Sequence, residues 1–283
     1  MEWIERLNQA VNYIEEHLTE DVNYEEAAHV ACCSVYHFQR MFSYLAGVPL
    51  SEYIRRRRMS LAAVDLQAEG AKVVDIALKY GYDSPTAFNR AFQSVHGLAP
   101  SQAKQAGKAL KAYPPISFQI TVKGVTELDY RIEKRERFQI VGLAEPMAKE
   151  IEKNFDIVPK MWTKAAVSGA LEKMVTMMDS EPQGVLGVSA CGEDEEWQYF
   201  IAVASQQPAP EGWSTYTVEA QTWAIFPGEG PMPTAIQDLE QRIVREWLPT
   251  SGYEYANGPD IECYLNADPQ HAAFEVWIPV VRK

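Results

Sequence analysis

The chain lacks most of what would mark a metal, disulfide, membrane or hydrolytic protein. Its 283 residues include four cysteines, Cys32, Cys33, Cys191 and Cys263, none in C-x-x-C spacing. Neither a zinc site nor a disulfide framework is expected from that pattern. Histidine is equally scarce: His17, His29, His37 and His96 lie in the first half and His271 stands alone in the second. No Ser/His/Asp set and no nucleotide-binding glycine loop accompanies them, so no catalytic residue, metal ligand or cofactor is assigned. No apolar run approaches the ~20 residues that span a bilayer, and no charged and then apolar leader opens the chain. A reduced, cytoplasmic protein without a membrane partner is expected. Positive charge is also short. Lys and Arg number 26 against 39 Asp and Glu, a net charge of −13, which excludes a chain given over wholly to nucleic acid.

The deficit of positive charge is uneven. Residues 1–113 carry 12 basic and 13 acidic side chains, whereas residues 114–283 carry 14 and 26. The first half is therefore near neutral, with its acids early and Arg55–Arg58 clustered. It also repeats itself. Ser34, Phe38, Arg40 and Phe42 recur fifty residues later as Ser84, Phe88, Arg90 and Phe92, and an internal repeat decides architecture before anything else does. Each copy reads as a helix. Ser34 and Ser84 are N-caps, Pro85 fits the first helical position, and Gly47 and Gly97 follow the last apolar residue as C-terminal caps do. Phe38, Met41, Phe42 and Leu45 share one face, as do Phe88, Ala91, Phe92 and Val95. The opposite face carries Tyr36, His37, Gln39 and Arg40 in one copy and Thr86, Asn89 and Arg90 in the other. These types reach base edges: Arg to guanine, Gln or Asn to adenine, Thr to the thymine methyl. A short helix precedes each copy across a tight turn, at 24–32 and 73–80. That is the helix-turn-helix pattern. A helix over 4–18 covers the first unit. A longer one over 50–66 has Ser51 as candidate cap and Gly70 as stop; about nineteen residues between these signals span roughly 28 Å and serve as a ruler between the two readers. Some of Arg55–Arg58, with Arg55 and Arg57 the candidates, are expected on phosphate and the rest on acids such as Glu52.

These residues resemble the AraC/XylS family of transcription regulators. The match rests on Ser34 through Gly47, on Tyr53-Ile54-Arg55-Arg56-Arg57-Arg58-Met59, and on Ile76-Ala77 through Gly81-Tyr82, Ser84 and Gly97 to Ser101. The resemblance implies a seven-helix domain whose two units read adjacent major-groove segments of double-stranded DNA, with RNA polymerase as a further partner. Cys32-Cys33 departs from the family's small residue or Gly in the first turn. Pro85 and Ala87 are poor base readers, so the second unit is expected to specify less sequence. The domain is assigned to 1–106, followed by a linker and first strand over 107–127.

From there the pattern alternates. Strands are predicted at 116–122, 128–132, 138–141, 185–191, 197–204, 216–218, 222–226, 261–265 and 273–280, with helices at 154–178 and 234–247. Strand-strand-helix-strand-strand occurs twice, an α+β domain with antiparallel sheet. The fold class is thus multidomain: an all-α double helix-turn-helix domain, then this duplicated domain over 128–283. The second half resembles GyrI-like effector-binding domains through Ile140-Val141-Gly142, Trp247-Leu248-Pro249, Gly258-Pro259, Ile261-Glu262, Tyr264-Leu265 and Glu275 to Val280. The resemblance implies a groove for a small-molecule effector. In the last strand, alternation sets Glu275 and Trp277 opposite Phe274, Val276 and Ile278. A carboxylate in an apolar strand needs a partner, either a protein cation or a bound cationic ligand held with aromatic faces. Ligand contact is expected for Glu275 and Trp277, with Tyr264, Trp223, Tyr199, Trp162 and Phe226 as candidate walls and lipophilic or cationic compounds as the class. Two other readings stand beside an effector-responsive regulator, one that activates transcription: a hydrolase of reactive small molecules, and a protein-binding module.

Overall fold

A computed structural model of the chain describes residues 3–105, 107–119, 127–149, 151–191 and 196–283. They form two compact units, Met1–Gln119 and Ile120–Lys283, taken in turn below.

The first unit is helical: α1 (Trp3–Glu16), α2 (Tyr24–Val30), α3 (Val35–Ala46), α4 (Leu50–Asp65), α5 (Val73–Lys79), α6 (Pro85–His96) and α7 (Pro100–Ala103). Local chemistry places their ends. Ser34 accepts from the His37 N–H and Ser84 from the Ala87 N–H, while Gly47 and Gly97 close α3 and α6 in the left-handed conformation. The two helix-turn-helix turns are built alike. Ala28 O accepts from Cys33 N and Ala77 O from Tyr82 N, each closing the short helix in a Schellman-type turn that needs a left-handed residue. Gly81 supplies it in the second turn at φ +78°, and Cys32 supplies it in the first at φ +57°. Ser51 is not a cap. Helix α4 begins at Leu50 after Pro49, with no side-chain cap. Phe38, Phe42, Phe88 and Phe92 are fully buried, so each repeated aromatic pair anchors its own unit. Residues 108–119 run without helix or strand. The strand predicted over 116–122 is therefore absent over 116–119, and its remainder lies outside the described residues.

The second unit is one antiparallel sheet with helices on one face. Its strands are β1 (Arg131–Arg135), β2 (Phe138–Pro146), β3 (Val185–Cys191), β4 (Trp197–Ala204), β5 (Ser214–Val218), β6 (Gln221–Gly230), β7 (Tyr253–Tyr255), β8 (Asp260–Tyr264) and β9 (Ala272–Arg282). The helix predicted over 154–178 is two helices, α8 (Ile151–Val167) and α9 (Ala170–Met177), because Gly169 turns left-handed at φ +75° between them. Helix α10 (Thr234–Arg242) runs on through a π-helical turn to Trp247. The sheet order is β1-β6-β9-β8-β3-β4-β2-β5, with β7 added beside β9. Exchanging the halves of the repeat reverses this order onto itself, so β3 and β8 meet at a pseudo-two-fold centre and each half's first strand edges the other half.

That edge exchange bends the sheet. Strands β1 and β2 are joined by two residues yet stand six places apart. In a flat sheet those places span about 29 Å, whereas the connection reaches about 11 Å. The sheet must curl until its ends approach. The inner face of the curl holds a core made of strand residues alone, with Phe138 and Ile140 of β2 beside Trp223, Ile225 and Trp277 of β6 and β9. The other face carries the helices. Met161, Ala165 and Met174 of α8 and α9 pack on Val141, Ile201 and Val203, and Leu239 of α10 lies over Gly228 and Phe274.

Candidate nucleic-acid interface and effector site

Helix α6 presents an open polar face. Thr86 and Arg90 are exposed, Asn89 is half-buried, and Gln93 and Ser94 extend the same face by one turn. Gln93 was not singled out from sequence, although its i+7 spacing from Thr86 puts it there. Helix α3 differs. Tyr36 and Arg40 are half-buried, the Arg40 guanidinium lying 5.9 Å from the Tyr36 ring and 5.5 Å from the Tyr44 ring. His37 and Gln39 are only 2% exposed. Each sits about one helical step from the apolar stripe, and His37 Nδ1 lies 3.0 Å from the capping Ser34 Oγ. Neither side chain is presented to a major groove as it stands, which corrects the base-reading expectation for both.

The arginine run is a scaffold. Leu50, Tyr53 and Ile54 are the buried face of α4, and Arg57 continues that stripe at i+7. Its guanidinium holds Glu15 through three contacts of 2.6 to 3.0 Å and the Tyr113 carbonyl at 2.5 Å. Arg57 is therefore an internal brace and not a phosphate contact. Arg58 donates to the carbonyls of Leu18 and Glu20. Arg56 pairs with Glu52. Arg55 binds Glu52 and Ser94, yet its side chain keeps 39% exposure, so it retains a face for phosphate.

In the second unit two glutamates stand on opposite faces of the sheet. Glu275 and Trp277 lie on the inner face. Arg131 binds Glu275 in bidentate fashion at 2.7 and 3.0 Å, and Trp277 Nε1 donates to it at 2.8 Å. Glu275 thus has a protein cation as its partner, and the alternative weighed against a ligand contact is the one observed. Trp223 and Trp277 meet at 5.8 Å within the inner core. Phe226 packs on Trp247 at 4.9 Å. None of these three walls a groove.

Glu262 points the other way. It pairs across with Gly187 on β3 and Val276 on β9, so it stands at the pseudo-two-fold centre on the helix-bearing face. Glu262 Oε2 accepts from Tyr264 Oη at 2.8 Å and Tyr199 Oη at 3.1 Å. Trp162 of α8 donates through Nε1 to Tyr199 Oη at 3.0 Å and meets the Tyr264 ring edge-on at 4.9 Å. Gly187 makes this possible. A Cβ there would fall 2.3 Å from Tyr199 Oη and 2.8 Å from Glu262 Oε2. Burial first, and then the charge of Glu262, push the Tyr264 phenol well above its ordinary range. Three of the seven residues expected at a ligand site, Trp162, Tyr199 and Tyr264, are thus gathered around a carboxylate that was not chosen. The available signal was Glu262-x-Tyr264, a period-2 pair on one strand face.

The sequence matches the family described as integron-associated effector binding protein over residues 131–280, and a helix-turn-helix domain over residues 27–106. The chain belongs to the integron-associated effector binding protein family. In this member an AraC-type DNA-binding unit precedes the effector-binding unit. It is 25% identical over 288 residues to transcriptional regulator Rob of Salmonella typhimurium, covering 95% of this chain and 96% of that one. The HTH-type transcriptional activator AarP of Providencia stuartii is 39% identical over 95 residues, 34% of this chain and 70% of AarP. A solved putative transcription regulation protein from Staphylococcus aureus covers 54% of this chain and 99% of its own, at 18% identity and a TM-score of 0.49. Relatives of this family member thus include a transcriptional regulator and a helix-turn-helix transcriptional activator. Among its described residues no helix is long and apolar enough to cross a membrane.

Proposed function

We propose that the chain is a DNA-binding activator of transcription whose second unit takes a lipophilic cation at Glu262. One observation carries the effector reading. A carboxylate at the sheet centre is held by two phenols and faced by Trp162, with Gly187 giving the carboxylate and the Tyr199 hydroxyl the room to meet. The phenols are neutral donors, so they orient the carboxylate without cancelling its charge. Aromatic faces attract cations through their quadrupoles, by about 0.5–2 kcal/mol each. The acidic balance of this half favours cations at longer range. Glu275, neutralised by Arg131, contributes nothing to that preference.

On the DNA side we assign Thr86, Asn89, Arg90 and Gln93 of α6, with Tyr36 and Arg40 of α3, to the major groove, and Arg55 to the backbone. RNA polymerase is the partner an activator needs, and the AarP and Rob relationships support that assignment. The effector test is intrinsic tryptophan fluorescence of the full chain titrated with a lipophilic phosphonium cation, a neutral compound of matched size and an organic anion. Glu262→Gln is expected to weaken the cation at least about tenfold, and Glu275→Gln to leave it within about twofold. Equal affinity for all three charge types, or loss with Glu275→Gln alone, would sink the assignment.

A further inference from the structure

The stretch after α7 looks like a tether by composition, with Pro114 and Pro115 and little periodicity. The structure shows it held at regular intervals by side chains of the helices. Lys111 N–H donates to His96 Nδ1 at 3.2 Å, Tyr113 N–H to Ser60 Oγ at 2.9 Å, Ile116 N–H to Tyr53 Oη at 3.2 Å, and Phe118 N–H to Asn8 Oδ1 at 2.7 Å. Asn8 returns a bond to Phe118 O at 2.9 Å, and Arg57 donates to Tyr113 O. The two prolines have no N–H to satisfy and stiffen the middle. This segment is read by side chains much as a strand is read by its neighbour.

Its pegs are distributed in a telling way. Asn8 is on α1, and Phe118 packs edge-on against Phe42 of α3 at 5.7 Å; both belong to the first helix-turn-helix unit. His96 is on α6, and Leu110 and Tyr113 pack on the core of the second helix-turn-helix. Tyr53, Arg57 and Ser60 are on α4, the helix between them. The segment crosses both helix-turn-helix motifs, so it adds a second tie to the one α4 makes.

We propose that residues 108–119 are a positioning strap that fixes the spacing and angle of α3 and α6, so that the protein discriminates DNA by the distance between the two segments it reads. Two linked readers gain about 10²–10⁴ in affinity when their geometry matches the span, and lose it when the span is wrong. A single tie through one helix leaves a bending freedom that tolerates wrong spans. A second tie removes that freedom. Asn8, Ser60 and Phe118 touch no DNA in this scheme; they act through the reading helices. The proposal rests on the two-reader interface above.

The test uses the full chain and a duplex selected from a random pool by the wild-type protein. Spacing variants carry one to three base pairs inserted between the two protected segments, and half-site duplexes carry one segment alone. Asn8→Ala/Ser60→Ala is compared with wild type, with Phe118→Ala as a second way to release the strap. Faster amide exchange over 111–118 marks release. Wild type is expected to lose about 100-fold on insertion. The released variants are expected to lose less than about tenfold, with half-site binding unchanged. An unchanged spacing ratio in a released variant would overturn the strap. So would parallel losses on half-site and full duplex, which mark a merely structural role. A wild-type footprint confined to one segment would overturn the two-reader interface itself, and the strap with it.

Discussion

Arg57 offers the sharpest contrast between a basic run read as a DNA contact and one read as architecture. Arg57→Ala removes a side chain that is 9% exposed and leaves Glu15, at 17%, without its cation. Breaking a buried pair by removing one partner costs about 3–5 kcal/mol, because an uncompensated charge stays buried. The orphaned Tyr113 carbonyl adds about 1 kcal/mol or more. Tyr53, which donates to Glu15 at 2.6 Å, offsets a little of this. A net loss of about 3–5 kcal/mol is expected, against the whole stability of 5–15 kcal/mol typical of a domain. Arg56→Ala, one residue away, is the control. Its pair with Glu52 is a half-exposed i,i+4 contact worth about 0–1 kcal/mol. Urea unfolding followed by amide exchange in α1 and α4 separates the two variants. Salt-dependent DNA binding supplies the refutation. Each phosphate contact contributes about 0.9 to the slope of log affinity against log salt. If Arg57→Ala keeps its stability and its slope falls by about one, Arg57 is a phosphate contact and the brace is wrong.

Other outcomes follow from the same geometry. Cys32→Gly is expected to raise stability by about 1 kcal/mol, since a side chain at φ +57° is relieved; a thermal midpoint that falls would refute the strain. Gly187→Ala is expected to abolish cation binding while the sheet still forms, at a cost of about 1–3 kcal/mol from overpacking; unchanged titration would move the ligand elsewhere. His96 gives a pH dependence. Burial pulls its basicity down, the Met59 carbonyl 3.0 Å from Nε2 opposes that, and the nearby charge of Lys111 adds to it. With Nε2–H facing Met59, Nδ1 is free to accept from Lys111 N–H. Protonation would put a donor against a donor. The unfolded chain takes up its proton near pH 6.5 and the folded one lower. The stabilisation is therefore complete above about 6.5 and declines as pH falls through the folded value. His96→Phe should flatten that part of the stability profile, and a profile unchanged by the substitution would refute it.

The helical half was legible because its determinants are local. Ser34, Gly47, Ser84 and Gly97 cap helices within four residues of themselves, and the aromatic stripes declare their own faces. Arg57 was legible too, in retrospect. The stripe Leu50, Tyr53, Ile54 reaches position 57 at i+7, and three identical neighbours hid the one that is buried. The turn at Cys32 was readable only as an oddity, since a left-handed backbone under a side chain leaves no sequence mark when the residue is not Gly. His37 and Gln39 show the limit of helix phase. A residue at the shoulder of a stripe is placed by what surrounds the helix, which spacing does not state.

The sheet exposes a different limit. Alternation says which residues of a strand share a face, and it separated Glu275 from Val276 correctly. It does not say which face carries helices. That is decided by pairing: β1 crosses to the far half and brings Arg131 to Glu275 across 144 residues. The same exchange of edge strands curls the sheet, closes Trp223 and Trp277 inside, and leaves the helix-bearing face at β3 and β8 as the place where a carboxylate meets two phenols. Both glutamates obey the rule that a carboxylate in an apolar strand needs a partner. Glu275 takes a guanidinium as its partner, and Glu262 takes the phenols of Tyr199 and Tyr264. What distinguishes them is the charge of those partners, and the contact of Glu262 with Tyr199 depends on a glycine, Gly187, seventy-five residues away in sequence and directly opposite in register.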